Sequence, residues 1–171
     1  MNPIPSDENL LALAHRIAER FEGSGRALVT AESCTGGWIA KLLTDVPGCS
    51  DWFERGFVTY SNEAKQELLA VPTTVLDEHG AVSEPTVRAM AEGALRHSRA
   101  DLALSVSGIA GPGGGRPDKP LGLVWFGWAQ RVAADGVQIT SEHRVFNGNR
   151  DDVRRQAVVR ALEGILELTR E

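Results

Sequence analysis

Ser33 and Cys34 stand in the run Glu32-Ser33-Cys34-Thr35-Gly36-Gly37, between an apolar stretch and a helical one. A hydroxyl or thiol at such a strand-to-helix turn lies beside backbone N–H groups that have no helical partner, and these favour an anion or a developing oxyanion. Gly36 and Gly37 let a ligand approach the backbone closely. The same pattern also fits an ordinary helix cap, where serine and threonine are preferred. A second group is Thr59-Tyr60-Ser61-Asn62-Glu63-Ala64-Lys65, in which Tyr60 is the only tyrosine and Lys65 one of three lysines against 15 arginines. A lysine acts as a general base when burial or cationic neighbours lower its pKa. Otherwise it is a solvated helix-surface residue, here near enough to Glu63 and Glu67 for surface pairing. If Ser33 is the nucleophile, Lys65 is the better-placed base, with Cys34 as the rival nucleophile because a thiol is more reactive near neutral pH.

Two further stretches suit ligand binding. Ser107-Gly108-Ile109-Ala110-Gly111-Pro112-Gly113-Gly114-Gly115 offers flexible backbone donors for a phosphate or carboxylate. It lacks the ending of a P-loop and the spacing of a dinucleotide fingerprint, and five glycines also make a mobile lid. In Asn147-Gly148-Asn149-Arg150, Arg150 suits a bidentate phosphate clamp or a pair with Asp151. Arg154, Arg155 and Arg160 follow at spacings that read as a solvated helical face. His15, His79, His97 and His143 are scattered, and no His/Cys/carboxylate spacing suggests a metal.

The elements that must position these groups follow from periodicity and caps. Ser6 caps a first helix whose apolar stripe is Leu10, Leu13, Ala14, Ile17 and Phe21, ended by Gly23. Ala27 to Thr30 reads as a buried strand, Trp38 to about Leu43 as a helix, and Trp52 to Tyr60 as a second strand. Asn62 opens a short helix through Lys65 to Leu69. Ser83 caps another with Val87, Met90, Ala91, Ala94 and Leu95 facing inward. Leu102 to Ser107 is apolar on both faces, as a central strand would be. Leu121 to Ala129 and Val137 to Val145 read as a hairpin turning at Asp135-Gly136. Asn149 caps the last helix, with Val153, Ala157, Ala161, Ile165 and Leu168 inward. Helices alternating with strands and then a hairpin predict a mixed sheet sandwiched between helices.

Composition limits the function. A chain of 171 residues fits one domain, spanning 1–171. The net charge of −5 weighs against a nucleic-acid partner. No run approaches the roughly 20 apolar residues of a membrane span, and the N-terminus carries no basic, apolar signal pattern. With only Cys34 and Cys49, both read as reduced thiols, a cytoplasmic protein is expected. Glycine is in excess, and seven of the 18 fall in Gly36-Gly37 and Gly108 to Gly115.

Taken in order, Glu32-Ser33-Cys34-Thr35-Gly36-Gly37, Tyr60-Ser61-Asn62 with Lys65, Gly80-Ala81-Val82-Ser83, Ser107-Gly108-Ile109-Ala110-Gly111-Pro112 and Asn147-Gly148-Asn149-Arg150 resemble the C-terminal domain of the CinA family. That resemblance covers nearly the whole chain. It implies a three-layer α/β/α sandwich that associates as a homodimer. It also implies hydrolysis of the carboxamide of nicotinamide mononucleotide to nicotinate mononucleotide and ammonia, with no cofactor. On this resemblance Ser33 attacks the carboxamide, Lys65 takes its proton, and Tyr60 positions the serine or relays the proton. Backbone amides near Thr35, Gly36 and Gly37 hold the oxyanion. Asn62, Ser107, Gly108, Gly111 and Arg150 hold the rest of the nucleotide. The substrate's pyridinium would disfavour the ammonium form of Lys65. The alternative is a non-catalytic nucleotide-binding or protein-interaction module linked to competence or DNA damage.

Overall fold

The computed structural model describes residues 3–133 and 136–170. Helix α1 (Asp7–Phe21) begins at Ser6, whose side chain accepts from the Asn9 N–H while the Asn9 side chain accepts from the Ser6 N–H. Its buried residues are the five that the helical spacing predicts. Strand β1 (Leu28–Glu32) is buried at every position, because it lies between β2 (Phe53–Val58) and β3 (Leu102–Gly108) and is parallel to both. Strands β4 (Leu123–Val132) and β5 (Gly136–Val145) complete a mixed sheet in the order β2-β1-β3-β4-β5, each antiparallel to the strand before it. The expected hairpin is present from Leu123↔Val145 to Val132↔Gly136. Asp135, on which its turn was expected, lies outside the described residues.

Side-chain alternation along the strands sends residues into two cores. Leu28, Leu104, Val106 and Phe126 pack with α1, α2 (Trp38–Thr44) and α6 (Arg150–Leu168). Val29, Ala31, Ala103 and Ala129 pack on the other face with α3 (Asn62–Leu69), α4 (Thr73–His79) and α5 (Glu84–Arg96). The protein is therefore an α/β fold of three layers around a mixed sheet. Removing such large apolar side chains from water contributes about 1.5–3 kcal/mol each, so both faces hold their helices firmly. On the second face Gly93 of α5 touches the α3 backbone: a Cβ there would lie 2.0 Å from the carbonyl oxygen of Leu69.

Helix α4 was not predicted. It has seven residues, starts after Pro72 without a side-chain cap, and buries only Leu76, so it writes no apolar stripe.

The strand order fixes where a ligand site can form. From β1 the chain moves to β2 on one side, then crosses to β3 on the other. The crevice beyond the carboxyl ends of β1 and β3 is thus the topological switch point, the usual ligand position in open α/β sheets. Ser33, Thr59 and Ser107 all lie at that end, at or just past the ends of their strands. Strand β5, antiparallel to β4 and so running with β3, also finishes there, delivering Asn147 to Arg150.

Candidate active site

Ser33 continues the line of β1, its N–H donating to the Val106 carbonyl at 3.0 Å. Lys65 reaches it from α3. The Ser61 side chain caps this helix by accepting from the Ala64 N–H, and the helix buries only Lys65 and Leu69, which share one face at i and i+4. Lys65 is wholly buried, with Nζ 3.0 Å from the Ser33 Oγ, 2.7 Å from the Thr59 carbonyl and 3.3 Å from the Tyr60 carbonyl. No carboxylate pairs with it among the described residues, so the surface pairing with Glu63 or Glu67 does not form. Burial pushes the Lys65 amine down to about 8. The Ser61 carbonyl lies farther off, at 3.5 Å; once neutral, the amine can donate its two N–H groups to the nearer Thr59 and Tyr60 carbonyls and turn its lone pair to Ser33. A hydroxyl 3.0 Å from such an amine is the arrangement of an activated nucleophile.

The turn after Ser33 departs from expectation. Its helix does not present vacant N–H groups: that of Trp38 donates to the Thr35 carbonyl, and Glu32 takes the next two. The Glu32 carboxylate is fully buried and accepts from the N–H groups of Ile39 at 2.9 Å and Ala40 at 3.0 Å, and from the Thr35 hydroxyl at 2.7 Å. Burial raises its pKa, and these donors oppose the rise. The Thr35 side chain is therefore committed to Glu32. The Gly36 N–H donates to the Ser33 carbonyl at 3.0 Å, closing a turn whose φ of 61° at Gly36 and 93° at Gly37 explains both glycines. The N–H groups of Cys34 and Thr35 donate to no backbone or side-chain oxygen among the described residues, and the Cys34 N–H meets only its own sulfur.

Arg154 braces this turn from α6, donating to the Cys34 and Thr35 carbonyls at 3.1 Å each. Arg155 pairs with Asp7 and Asp151, and Arg160 with Glu142 and Glu167. The row of arginines expected to be a solvated face is thus bound to other elements. Cys34 is buried, and burial first, with Glu32 adding, pushes its thiol up to about 12 despite Arg154 and Lys65 nearby. A thiol held protonated is a poor nucleophile.

The remaining predicted residues form a rim. Arg150 donates to the Gly111 carbonyl at 2.7 Å and to the Tyr60 phenol oxygen at 3.2 Å. The phenol, expected at Ser33, thus turns outward; only the Tyr60 carbonyl meets Lys65. Asn62 is exposed in the first turn of α3. Ser107 is buried at the end of β3, and Gly108 lies so close to β4 that a Cβ would sit 2.7 Å from Val124 Cγ2. A cavity of about 380 Å³ opens between the glycine loop and α6, lined by Gly111, Pro112, Asn147, Asn149 and Arg150. The Gly80-Ala81-Val82-Ser83 motif serves the fold. The Gly80 carbonyl accepts from Ser83 Oγ and Thr86 Oγ1, which fixes the start of α5. A larger cavity of about 590 Å³, near His15, Glu22 and Trp52, lies at the far end of β1 and lacks these groups.

The structure thus brings Ser33 to Lys65, and Tyr60 to Arg150 and Gly111. Glu32 and Arg154 were missed. For Glu32 a signal existed, a carboxylate at the end of a mostly apolar strand. Arg154 had none, since its partners are 119 and 120 positions away. Among the described residues no cluster of three or more metal-ligating side chains occurs, and no helix is long and apolar enough to cross a membrane.

The chain is similar to known proteins over nearly its whole length. The CinA C-terminal domain profile matches residues 10–169. A nicotinamide-nucleotide amidohydrolase PncC from Escherichia coli K12 is 52% identical over 158 residues, covering 92% of this chain and 93% of the relative. A protein of the same name from Pseudomonas putida is 48% identical over 95% of this chain and 98% of its own. Among solved structures, the competence/damage inducible protein CihA from Agrobacterium tumefaciens superposes with a TM-score of 0.88 at 44% identity, covering 99% of this chain and all of the other. A CinA superfamily protein from Klebsiella pneumoniae 700603 gives 0.88 at 38%, over 94% and 98% of the two chains.

Proposed function

The chain belongs to the CinA C-terminal domain family, and on that premise we propose that it is an amidohydrolase that deamidates nicotinamide mononucleotide, with Ser33 as nucleophile and Lys65 as its base. The observation that carries the mechanism is the 3.0 Å approach of a fully buried lysine amine to the Ser33 hydroxyl.

Ser33 Oγ attacks the carboxamide carbon while its proton passes to the neutral Lys65 amine. The oxyanion is met by the free N–H groups of Cys34 and Thr35. Collapse of the adduct breaks the C–N bond, and the Lys65 ammonium returns the proton to the departing nitrogen, which leaves as ammonia. Water, deprotonated in turn by Lys65, attacks the acyl-serine; the acyl C–Oγ bond breaks, the Lys65 ammonium returns the proton to Ser33 Oγ, and nicotinate mononucleotide is released. Water is the only co-substrate, so the reaction asks for no cofactor. Arg150 on the rim supplies the cation for the phosphate, and one domain suffices for the whole cycle. A silent binding module would keep Arg150 and the glycine loop but has no need for a buried lysine against a serine.

Ammonia release from nicotinamide mononucleotide tests the proposal. Wild type is expected to turn over, and Ser33→Ala to lose at least about 10³-fold. No ammonia from wild type between pH 7 and 9.5, or undiminished release from Ser33→Ala, overturns it.

A further inference from the structure

Arg154 differs from its helical neighbours in where its charge goes. Arg155 and Arg160 are neutralised by carboxylates, whereas no described ion pair includes Arg154. Its guanidinium lies 5.1 Å from the centre of the Trp38 ring and is spent on two carbonyls of the nucleophile turn. Each of those carbonyls belongs to a planar trans peptide, so the N–H of the same unit points the opposite way.

Following the bonds outward gives two chains. In the first, Arg154 Nε donates to the Cys34 carbonyl, whose peptide partner is the N–H of Thr35. In the second, Arg154 Nη2 donates to the Thr35 carbonyl, which also accepts from the Trp38 N–H. The peptide partner of that carbonyl is the Gly36 N–H, which donates to the Ser33 carbonyl, and the Ser33 carbonyl shares its peptide with the Cys34 N–H. Both chains start on one cation and end on an N–H that donates to no oxygen among the described residues. Hydrogen bonds in series polarise one another, so a charge at the head strengthens the donor at the tail. Glu32 holds the turn from beneath but uses different atoms, the Thr35 hydroxyl and the first N–H groups of α2.

We propose that Arg154 is a positioning residue that orients and polarises the Cys34 and Thr35 N–H groups as the oxyanion donors for attack by Ser33. The proposal deepens the amidase reading and rests on it for its substrate. Arg154 touches no reacting atom; it acts through the two peptide chains. Its loss should therefore lower kcat and leave KM in place.

The test compares wild type with Arg154→Met, Arg154→Lys and Arg155→Met on nicotinamide mononucleotide. Losing an oxyanion donor outright costs about 10²–10³ in kcat, and weakening two by removing the charge is expected to cost about 10–100-fold. Arg154→Met should show that loss with KM within about twofold of wild type and an unshifted pH limb. Arg154→Lys, which keeps the charge but grips one carbonyl, should recover part of it. Arg155→Met should stay near wild type. Unchanged kcat in Arg154→Met, a loss confined to KM, or an equal loss in Arg155→Met overturns the proposal. A second substrate separates it from the amidase reading. Acylation of Ser33 by p-nitrophenyl acetate, located by mass spectrometry, also builds an oxyanion. If wild type releases no ammonia yet acylates Ser33 faster than Arg154→Met does, the amidase reading fails and the role of Arg154 stands. If acylation too is independent of Arg154, the proposal fails.

Discussion

Raising the pH should switch the enzyme on through Lys65. An ordinary lysine amine titrates near 10.5, whereas burial holds this one at about 8. At pH 7 the neutral fraction rises from about 0.0003 to about 0.09, roughly a 300-fold gain in usable base. The profile of kcat/KM should therefore climb about tenfold per pH unit below 8 and level off above it. The kcat limb should lie lower still, because a bound pyridinium disfavours the ammonium. Stability follows the same group. With the folded pKa below the unfolded one, the unfolded chain binds the proton more tightly between about pH 8 and 10.5. Stability from this residue then rises across that window, by about 3 kcal/mol in all, and below pH 8 the fold carries the full cost of the buried ammonium. Lys65→Met should lower kcat/KM by about 10²–10⁴ at pH 8 and remove this pH-dependent part of the urea midpoint. The assay is ammonia release from pH 6 to 10 alongside urea unfolding at pH 7, 8.5 and 10. A flat rate profile through pH 8, or a Lys65→Met variant with wild-type turnover, would refute the reasoning. A kcat limb coincident with that of kcat/KM would sink the pyridinium effect alone.

Three other outcomes follow from the geometry. Cys34→Ala should keep kcat within about threefold, because a thiol held near 12 supplies almost no thiolate; a loss beyond 100-fold would make Cys34 the nucleophile. Tyr60→Phe removes the acceptor for Arg150 and should raise KM about 3–10-fold while leaving the pH limb intact. A vanished limb would mean that the phenol relays the proton. Gly93→Ala drives a Cβ into the Leu69 carbonyl and must push α3 outward, carrying Lys65 from Ser33. It should cost about 1–3 kcal/mol by urea unfolding and lower kcat as well, and an unchanged midpoint would contradict the close packing.

What the sequence disclosed was whatever is written locally. Ser6, Ser83 and Asn149 each sit directly before a helix and cap it, whereas the cap of α3, Ser61, was not read. The apolar stripe of α1 was legible because five residues repeat at helical spacing. Helix α4 was not, because one buried leucine has no period. In the site, residue type marked Ser33 and Lys65, but only packing of α3 against α5 and the sheet decides that Lys65 is inside. Its sequence neighbours Glu63, Glu67 and Leu68 are exposed and pointed to a surface residue. The direction of the Tyr60 phenol depends on Arg150, 90 positions away, and the tie of Arg154 to the Ser33 turn spans a still longer separation. Contacts of that kind leave no spacing to read.

The same long separations set an order of assembly. Ser33 and Lys65 are 32 positions apart, on elements that flank one β-α-β crossover. The brace on the turn after Ser33 comes from α6, which also closes the core above α1 and α2 through Val153, Ala157, Val158, Leu162 and Ile165. As the chain leaves the ribosome, contacts close in sequence order and the distant ones come last. A chain halted after β5 holds the serine and its lysine, but one face of its sheet lacks α6 and the nucleophile turn lacks Arg154. On the proposed role of Arg154, hydrolytic competence then waits for α6, and a chain made only through β5 carries its reacting pair unarmed.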